Sequence, residues 1–234
     1  MKRGITTSHH DEGGYNVNTK TCDKGTHIDI DKVRHKVEQG EIDYWFTKIT
    51  EGQSWQDTKF REIFPKIKAI NGIEAGVFHV FRMTSTPEEQ FQNITSQLSL
   101  IDFKPDVDKL IICTTTVSIE KDKKPNGQEY TQQERSDSLR SLLGQLKLSG
   151  YNLVLHVLKT EEWNMYYTHD ADLAQYPLCL PYIDKMALQI PHGWEKCDYW
   201  NMDKQSVINR PLTEMKWPVL EHVYNYVHNQ CSIQ

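Results

Sequence analysis

The chain has 234 residues, enough to bury a full core as one large domain or two small ones. Charged residues make up 25% and apolar ones 38%, an ordinary globular balance, and the net charge of −5 gives no electrostatic reason to expect nucleic acid or a bilayer as partner. No 18-residue apolar run is available for a membrane span, and the opening MKRGITTSHHDEGG lacks a secretory apolar stretch, so a protein kept in the cytoplasm, or leaving it by another route, is expected.

In chain order, residues 1–13 read as a flexible N-terminal arm and residues 14–234 as one folded domain. His9-His10 lies in that polar arm and reads as solvent-facing chain, not as a metal site. GGYNVNTK, residues 13–20, reads as the first β-strand: two glycines, then Tyr15 and Val17 in alternation, with Asn16 at its centre. Helix (28–40), strand (42–49), helix (57–72) and strand (74–81) follow. Thr86, Pro87 and Glu89 then form a capping signature for a helix over 87–98. The β-branched apolar run of DKLIICTTTV, residues 108–117, predicts a buried strand. A charged loop turns at Pro125-Asn126-Gly127. Helix 131–150, strand 151–158 and a short helix from Thr160 come next. Strand-like pieces at 176–183, 185–190 and 196–202 precede a terminal helix over 217–230. Strands alternating with helices predict an α/β fold with a largely parallel sheet, and eight candidate strands without a Pro/Ser-rich linker favour a single TIM-like β/α-barrel.

The five cysteines (Cys22, Cys113, Cys179, Cys197, Cys231) are an odd number with no C-x-x-C pair, which argues for free thiols over a zinc ribbon or a disulfide framework. No phosphate loop and no G-x-S-x-G is present, and no cofactor or metal is expected.

The order of motifs resembles the family-25 glycoside hydrolases, the Chalaropsis-type lysozymes that cut peptidoglycan glycan. Gly14-Tyr15-Asn16-Val17-Asn18 is similar to that family's G-I-D-V-S strand, and Ile28 to Val33 to its I-D-W-x-x-V. Lys48-Ile49-Thr50-Glu51-Gly52 resembles K-A-T-E-G, and Gly76-Val77-Phe78-His79-Val80 resembles G-A-Y-H-F, with Glu88, Glu89 and Gln90 following. Trp163, the run YPLCLPY (176–182), Pro191, Trp194 and Trp200-Asn201-Met202 match the family's late motifs. The resemblance spans Gly14 to Tyr224 and implies the family-25 lysozyme barrel.

It does not carry the reaction with it. Glycoside cleavage needs a protonated carboxyl for the leaving oxygen and a second carboxylate at the sugar cation. The family's first-strand aspartate falls on Asn16, and its D-x-E falls on Cys113 and Thr115 or, one residue on, on Thr114 and Thr116. The late D-x-N falls around residues 215–218, with no aspartate there. The family's groove tyrosine is His156 and its P-L-W tryptophan is Cys179. Asn16 is read as a strand-end hydrogen-bonding group, and His79 as a satisfied core histidine. Glu51 is the surviving motif carboxylate, read as a strand-end ion pair with Lys48. Glu120, in the charged loop, is an alternative acid, and His79, His156, Trp200 and Asn201 are the candidates for binding substrate.

What this implies is a lysozyme-like barrel without catalytic carboxylates, serving a structural or interaction role. By analogy with phage lysins it would be a virion tail or baseplate protein whose arm and 118–130 loop dock other virion proteins or further copies. Two rivals remain open: a muramidase using Glu51 with a loop carboxylate, and a peptidoglycan-binding module.

Overall fold

The computed structural model describes residues 1–11, 15–16, 21–22, 27–115, 121–169, 171–182 and 189–207. Seven parallel strands close into a barrel: β1 (Lys2–Thr7), β4 (Tyr44–Glu51), β6 (Glu74–Val80), β7 (Lys109–Thr114), β8 (Asn152–Val157), β9 (Leu178–Leu180) and β10 (Tyr199–Asn201). Closure runs through β1, which pairs with β4 on one side and β10 on the other. A short β5 (Trp55–Gln56) folds back antiparallel on β4, and β2 (Tyr15–Asn16) with β3 (Thr21–Cys22) forms a separate two-stranded ribbon.

This corrects two expectations. The first seven residues are not an arm: Lys2–Thr7 is the strand that closes the barrel, with Ile5 fully buried. Nor is Tyr15–Asn16 part of the first barrel strand: among the described residues it pairs with Thr21–Cys22. The physical reason is that β1 derives its burial from both neighbours, so one apolar residue among β-branched threonines is enough. Of the late strand-like pieces, residues 183–188 lie outside the described residues, as does the expected terminal helix.

Alternation along each strand divides the core into two. Trp45, Ile49, Val77, Leu110, Ile112, Leu153, Leu155 and Leu178 face outward into the layer of helices. Those helices are α1 (Ile30–Glu38), α2 (Phe60–Lys68), α3 (Pro87–Leu98), α4 (Gln132–Leu148) and α5 (Thr160–Tyr166). Leu139, Leu142, Leu143 and Leu146 recur on α4 at helical spacing and form its buried stripe. Asp29 caps α1, and the Thr86–Glu89 capping box starts α3 as its sequence predicts. Thr131 and Glu134 make a second capping box at α4.

The barrel interior holds Tyr44, Phe46, Ile111, Val154, Cys179 and Tyr199, with Phe78 against them. Two glycines make room for the aromatics. A Cβ on Gly4 would fall on the carbonyl and ring of Tyr44, and one on Gly76 would sit 2.6 Å from Phe46 and 2.7 Å from the Lys109 carbonyl. Below this layer Glu74 closes the floor, paired with Lys2, with Lys109 at 3.1 Å and with the Tyr199 hydroxyl at 2.9 Å.

Candidate functional site at the barrel mouth

In parallel β/α-barrels, reacting groups stand at the C-terminal ends of the strands. Here that end begins above the aromatic layer with a chain of buried polar groups. The Tyr44 hydroxyl donates to Asn201 Oδ1 at 2.9 Å, Asn201 Nδ2 lies 3.4 Å from His156 Nε2, and His156 Nδ1 lies 3.5 Å from Cys113 Sγ. With its oxygen taken by Tyr44, Asn201 offers its NH₂ to Nε2, which leaves the imidazole proton on Nδ1, facing the sulfur. Burial pushes the Cys113 thiol up to about 12 and the His156 imidazole down to about 4. The pair is therefore a neutral thiol beside a neutral imidazole, not the thiolate form that attacks carbonyls.

The rim carries charge. Glu51 Oε2 accepts from Lys48 Nζ at 2.7 Å, and Oε1 from Arg82 Nη1 at 2.6 Å. Arg82 also grips the fully buried Asp122, through Nε at 2.9 Å and Nη2 at 2.6 Å, while the Met83 backbone N–H donates to the same carboxylate at 2.6 Å. Burial alone would raise the Glu51 pKa, but the Lys48 and Arg82 cations outweigh it and hold the carboxyl at about 2. Lys48 also lies 3.9 Å from the centre of the Trp55 ring, so one face of that indole is occupied. On the β1 side, Asp57 accepts from the backbone and ring of His9 at 2.8 and 2.9 Å, and Asp11 accepts from Lys204 at 3.0 Å.

The barrel settles the register of 110–114. Cys113 faces inward above Ile111, and Thr115, next on that side, is almost fully buried. Thr114 turns the other way, in register with the outward Val157, and its hydroxyl donates to the His156 carbonyl at 3.3 Å. Of the two pairs that the resemblance offers for D-x-E, the one with Cys113 is thus on the inward side; Thr116, like Glu120 and residues 215–218, lies outside the described residues.

Asn16 is not on the barrel. The first barrel strand is β1 instead, which carries Gly4-Ile5 and whose Thr6 is in register with the inward Phe46. The Gly-Ile pair was the signal that could have found it.

Two of the substrate-binding candidates face away from the mouth. His79 points into the helix layer, between Thr50 Oγ1 at 2.8 Å and Gln90 Oε1 at 3.0 Å, and burial lowers its pKa to about 4. Trp200 packs on the outer cluster with its Nε1 donating to the Pro181 carbonyl at 3.1 Å. His156 and Asn201 do face inward. Arg82 and Asp122 were not singled out in the sequence, since charged residues in loops read as solvated surface. Among the described residues no group of three or more His, Cys, Asp or Glu could hold a metal ion, and no helix is long and apolar enough to cross a membrane.

The family model described as glycosyl hydrolases family 25 matches residues 26–210. The fold is similar to a family GH25 lysozyme from Aspergillus fumigatus, with TM-score 0.65 and 16% identity over 90% of this chain and 94% of that one. It is similar to a bacterial lysozyme from Streptomyces coelicolor, with TM-score 0.61 and 16% identity over 84% and 81%. It also matches the modular autolysin LytC from Streptococcus pneumoniae, solved with a synthetic peptidoglycan ligand, with TM-score 0.58 and 10% identity over 83% and 40%. No curated protein matches the chain.

Proposed function

The chain belongs to glycosyl hydrolases family 25, and from that membership we propose that it is a lysozyme-like barrel without glycan hydrolysis, serving a structural or interaction role. The observation that carries this reading is the state of Glu51. A general acid must hold its proton near working pH, which requires a raised pKa. Glu51 is clamped by Lys48 and Arg82 and stays ionised down to about 2. The inward positions Thr6, Cys113 and Thr115 offer hydroxyls and a thiol that cannot replace it, because none delivers a proton as a carboxylic acid does.

For the setting we propose a virion, as a tail or baseplate protein, on the resemblance to phage lysins; detection of the chain in purified particles tests it, and its absence from them overturns it. Peptidoglycan is the first ligand to test, since a structural neighbour was solved with a peptidoglycan ligand. The deciding assay is release of soluble glycan from dye-labelled peptidoglycan of several bacterial types, beside an active family member and the Glu51→Gln variant. No release above the buffer blank is expected. Release that disappears in Glu51→Gln would make the chain a muramidase with a rearranged site.

A further inference from the structure

We infer that two buried carboxamides on one face of α3, Gln90 and Asn93, are the positioning residues that hold Arg82 against Glu51. The inference deepens the non-hydrolytic reading, on which its meaning for function rests.

β6 ends at Val80, and the Phe81 N–H carries its ladder one step further, to the Cys113 carbonyl at 3.0 Å. At the next residue a side chain takes over. Gln90 Oε1 accepts from the Arg82 N–H at 2.9 Å, and Gln90 Nε2 donates to the Arg82 carbonyl at 2.9 Å and to the Ser85 carbonyl at 3.1 Å. One amide thus holds both backbone polar groups of a single residue, as the opposite residue of a hydrogen-bonded strand pair does. With its N–H and carbonyl both fixed, Arg82 has a fixed Cα–Cβ direction, and that sets where the guanidinium can reach.

The orientation of Gln90 is itself determined. Turned over, its NH₂ would meet the Arg82 N–H and its oxygen would meet two carbonyls. With Oε1 so placed, His79 Nε2, 3.0 Å away, carries a proton and donates it, which leaves His79 Nδ1 to accept from Thr50 Oγ1 at 2.8 Å. Gln90 is fully buried, so its aim is set from β4 through β6.

Asn93, three residues on and on the same face of the helix, holds the other partner. Its Nδ2 donates to the Gly52 carbonyl at 2.9 Å and to the Trp55 carbonyl at 3.2 Å. Gly52 follows Glu51, turns at φ 52°, and its N–H donates to the Val80 carbonyl at 3.1 Å. The end of β4 that carries Glu51 and the backbone that carries Arg82 are therefore fastened to neighbouring sites on one helix. The 2.6 Å contact from Arg82 Nη1 to Glu51 is the result. Nη2 goes to Asp122, also at 2.6 Å, so both terminal nitrogens of the guanidinium are held.

The test is made on the full chain by ¹⁵N NMR near neutral pH, reading how fast the Arg82 guanidinium rotates about its Nε–Cζ bond. In the wild type that rotation is expected to be slow, because Nη1 and Nη2 are both held. In Gln90→Met, which keeps the shape and loses the amide, it is expected to become on the order of 10-fold faster. Hydrogen exchange of the β7 backbone amides, in the middle of the ladder, is expected to stay unchanged, since a merely structural role would raise both rates together. Asn93→Leu is expected to act in the same direction, and it decides the matter if Gln90→Met does not fold. Unchanged rotation in the variants, a joint rise with the β7 amides, or fast rotation in the wild type overturns the assignment. Glycan release by the wild type would overturn the non-hydrolytic reading and leave the positioning of Arg82 standing, so the two can fail separately.

Discussion

Lowering the pH from 7.5 to 4.5 is expected to cost this protein about 5 kcal/mol of stability, through two histidines on opposite sides of the barrel wall. His79 and His156 are buried, and burial lowers each from 6.5 to about 4. Because the folded values lie below the unfolded one, the unfolded chain takes up protons first. The stabilising contribution is complete above about 6.5 and is lost as the pH falls toward 4. With 1.36 kcal/mol per pKa unit, each histidine accounts for roughly 2 to 3 kcal/mol by pH 4.5, and the two for about 5. A domain of this kind has only about 5–15 kcal/mol in all. The window isolates the histidines, because Glu51, held at about 2, begins to lose its contribution only below its ordinary 4.5. Urea denaturation at half-unit pH steps measures the effect, with His79→Gln and His156→Gln each expected to halve the slope. A curve flat to within about 1 kcal/mol, or a variant that keeps the full slope, would refute the assignment of both groups as neutral in the folded state.

Other consequences follow from the packing. Gly76→Ala drives a Cβ to 2.6 Å from Phe46 and 2.7 Å from the Lys109 carbonyl, and a loss of about 3 kcal/mol is expected in the same denaturation assay; a loss under about 0.5 kcal/mol would mean that β6 and β7 can spread. Deleting residues 1–7 removes β1 and exposes the edges of β4 and β10. The truncated chain is expected to lose its cooperative unfolding transition, whereas a free arm could be deleted with no change in melting temperature.

The order of the outer elements was legible because its signals are local. Thr86, Pro87 and Glu89 cap a helix from three neighbouring positions, and the run from Leu110 to Cys113 announces a strand buried on both faces. The first strand was not legible, because its evidence is remote. Lys2–Thr7 has one buried apolar side chain of any size, and what makes it a strand is the ladder offered by β4 and β10, about 40 and 200 residues away. Tyr15 and Val17 alternate more cleanly, and the local pattern pointed there instead. The register of Cys113 was open for a related reason. Period-2 alternation says which residues share a face, but only the closed barrel says which face is the interior. Arg82 and Asp122 gave no signal, since a charge in a loop looks solvated until its partner, 40 residues on, is placed beside it.

The side chains at the mouth form one electrostatic arrangement. A hydrolase keeps carboxyls in a poorly solvated groove because the chemistry needs them, at a cost of several kcal/mol for each buried charge without a partner. Here the inward layer carries no formal charge: Tyr44, Asn201, His156 and Cys113 satisfy one another in a chain of neutral contacts. The charges stand one layer higher, where Lys48, Glu51, Arg82 and Asp122 alternate in sign. The two layers depend on each other. A carboxylate at Cys113 would lie beside Glu51 and compete for Lys48 and Arg82, loosening Asp122, whereas the neutral thiol leaves both cations committed to the rim. The neutral inward layer and the alternating charges of the rim are thus one arrangement, in which Lys48 and Arg82 are spent on Glu51 and Asp122.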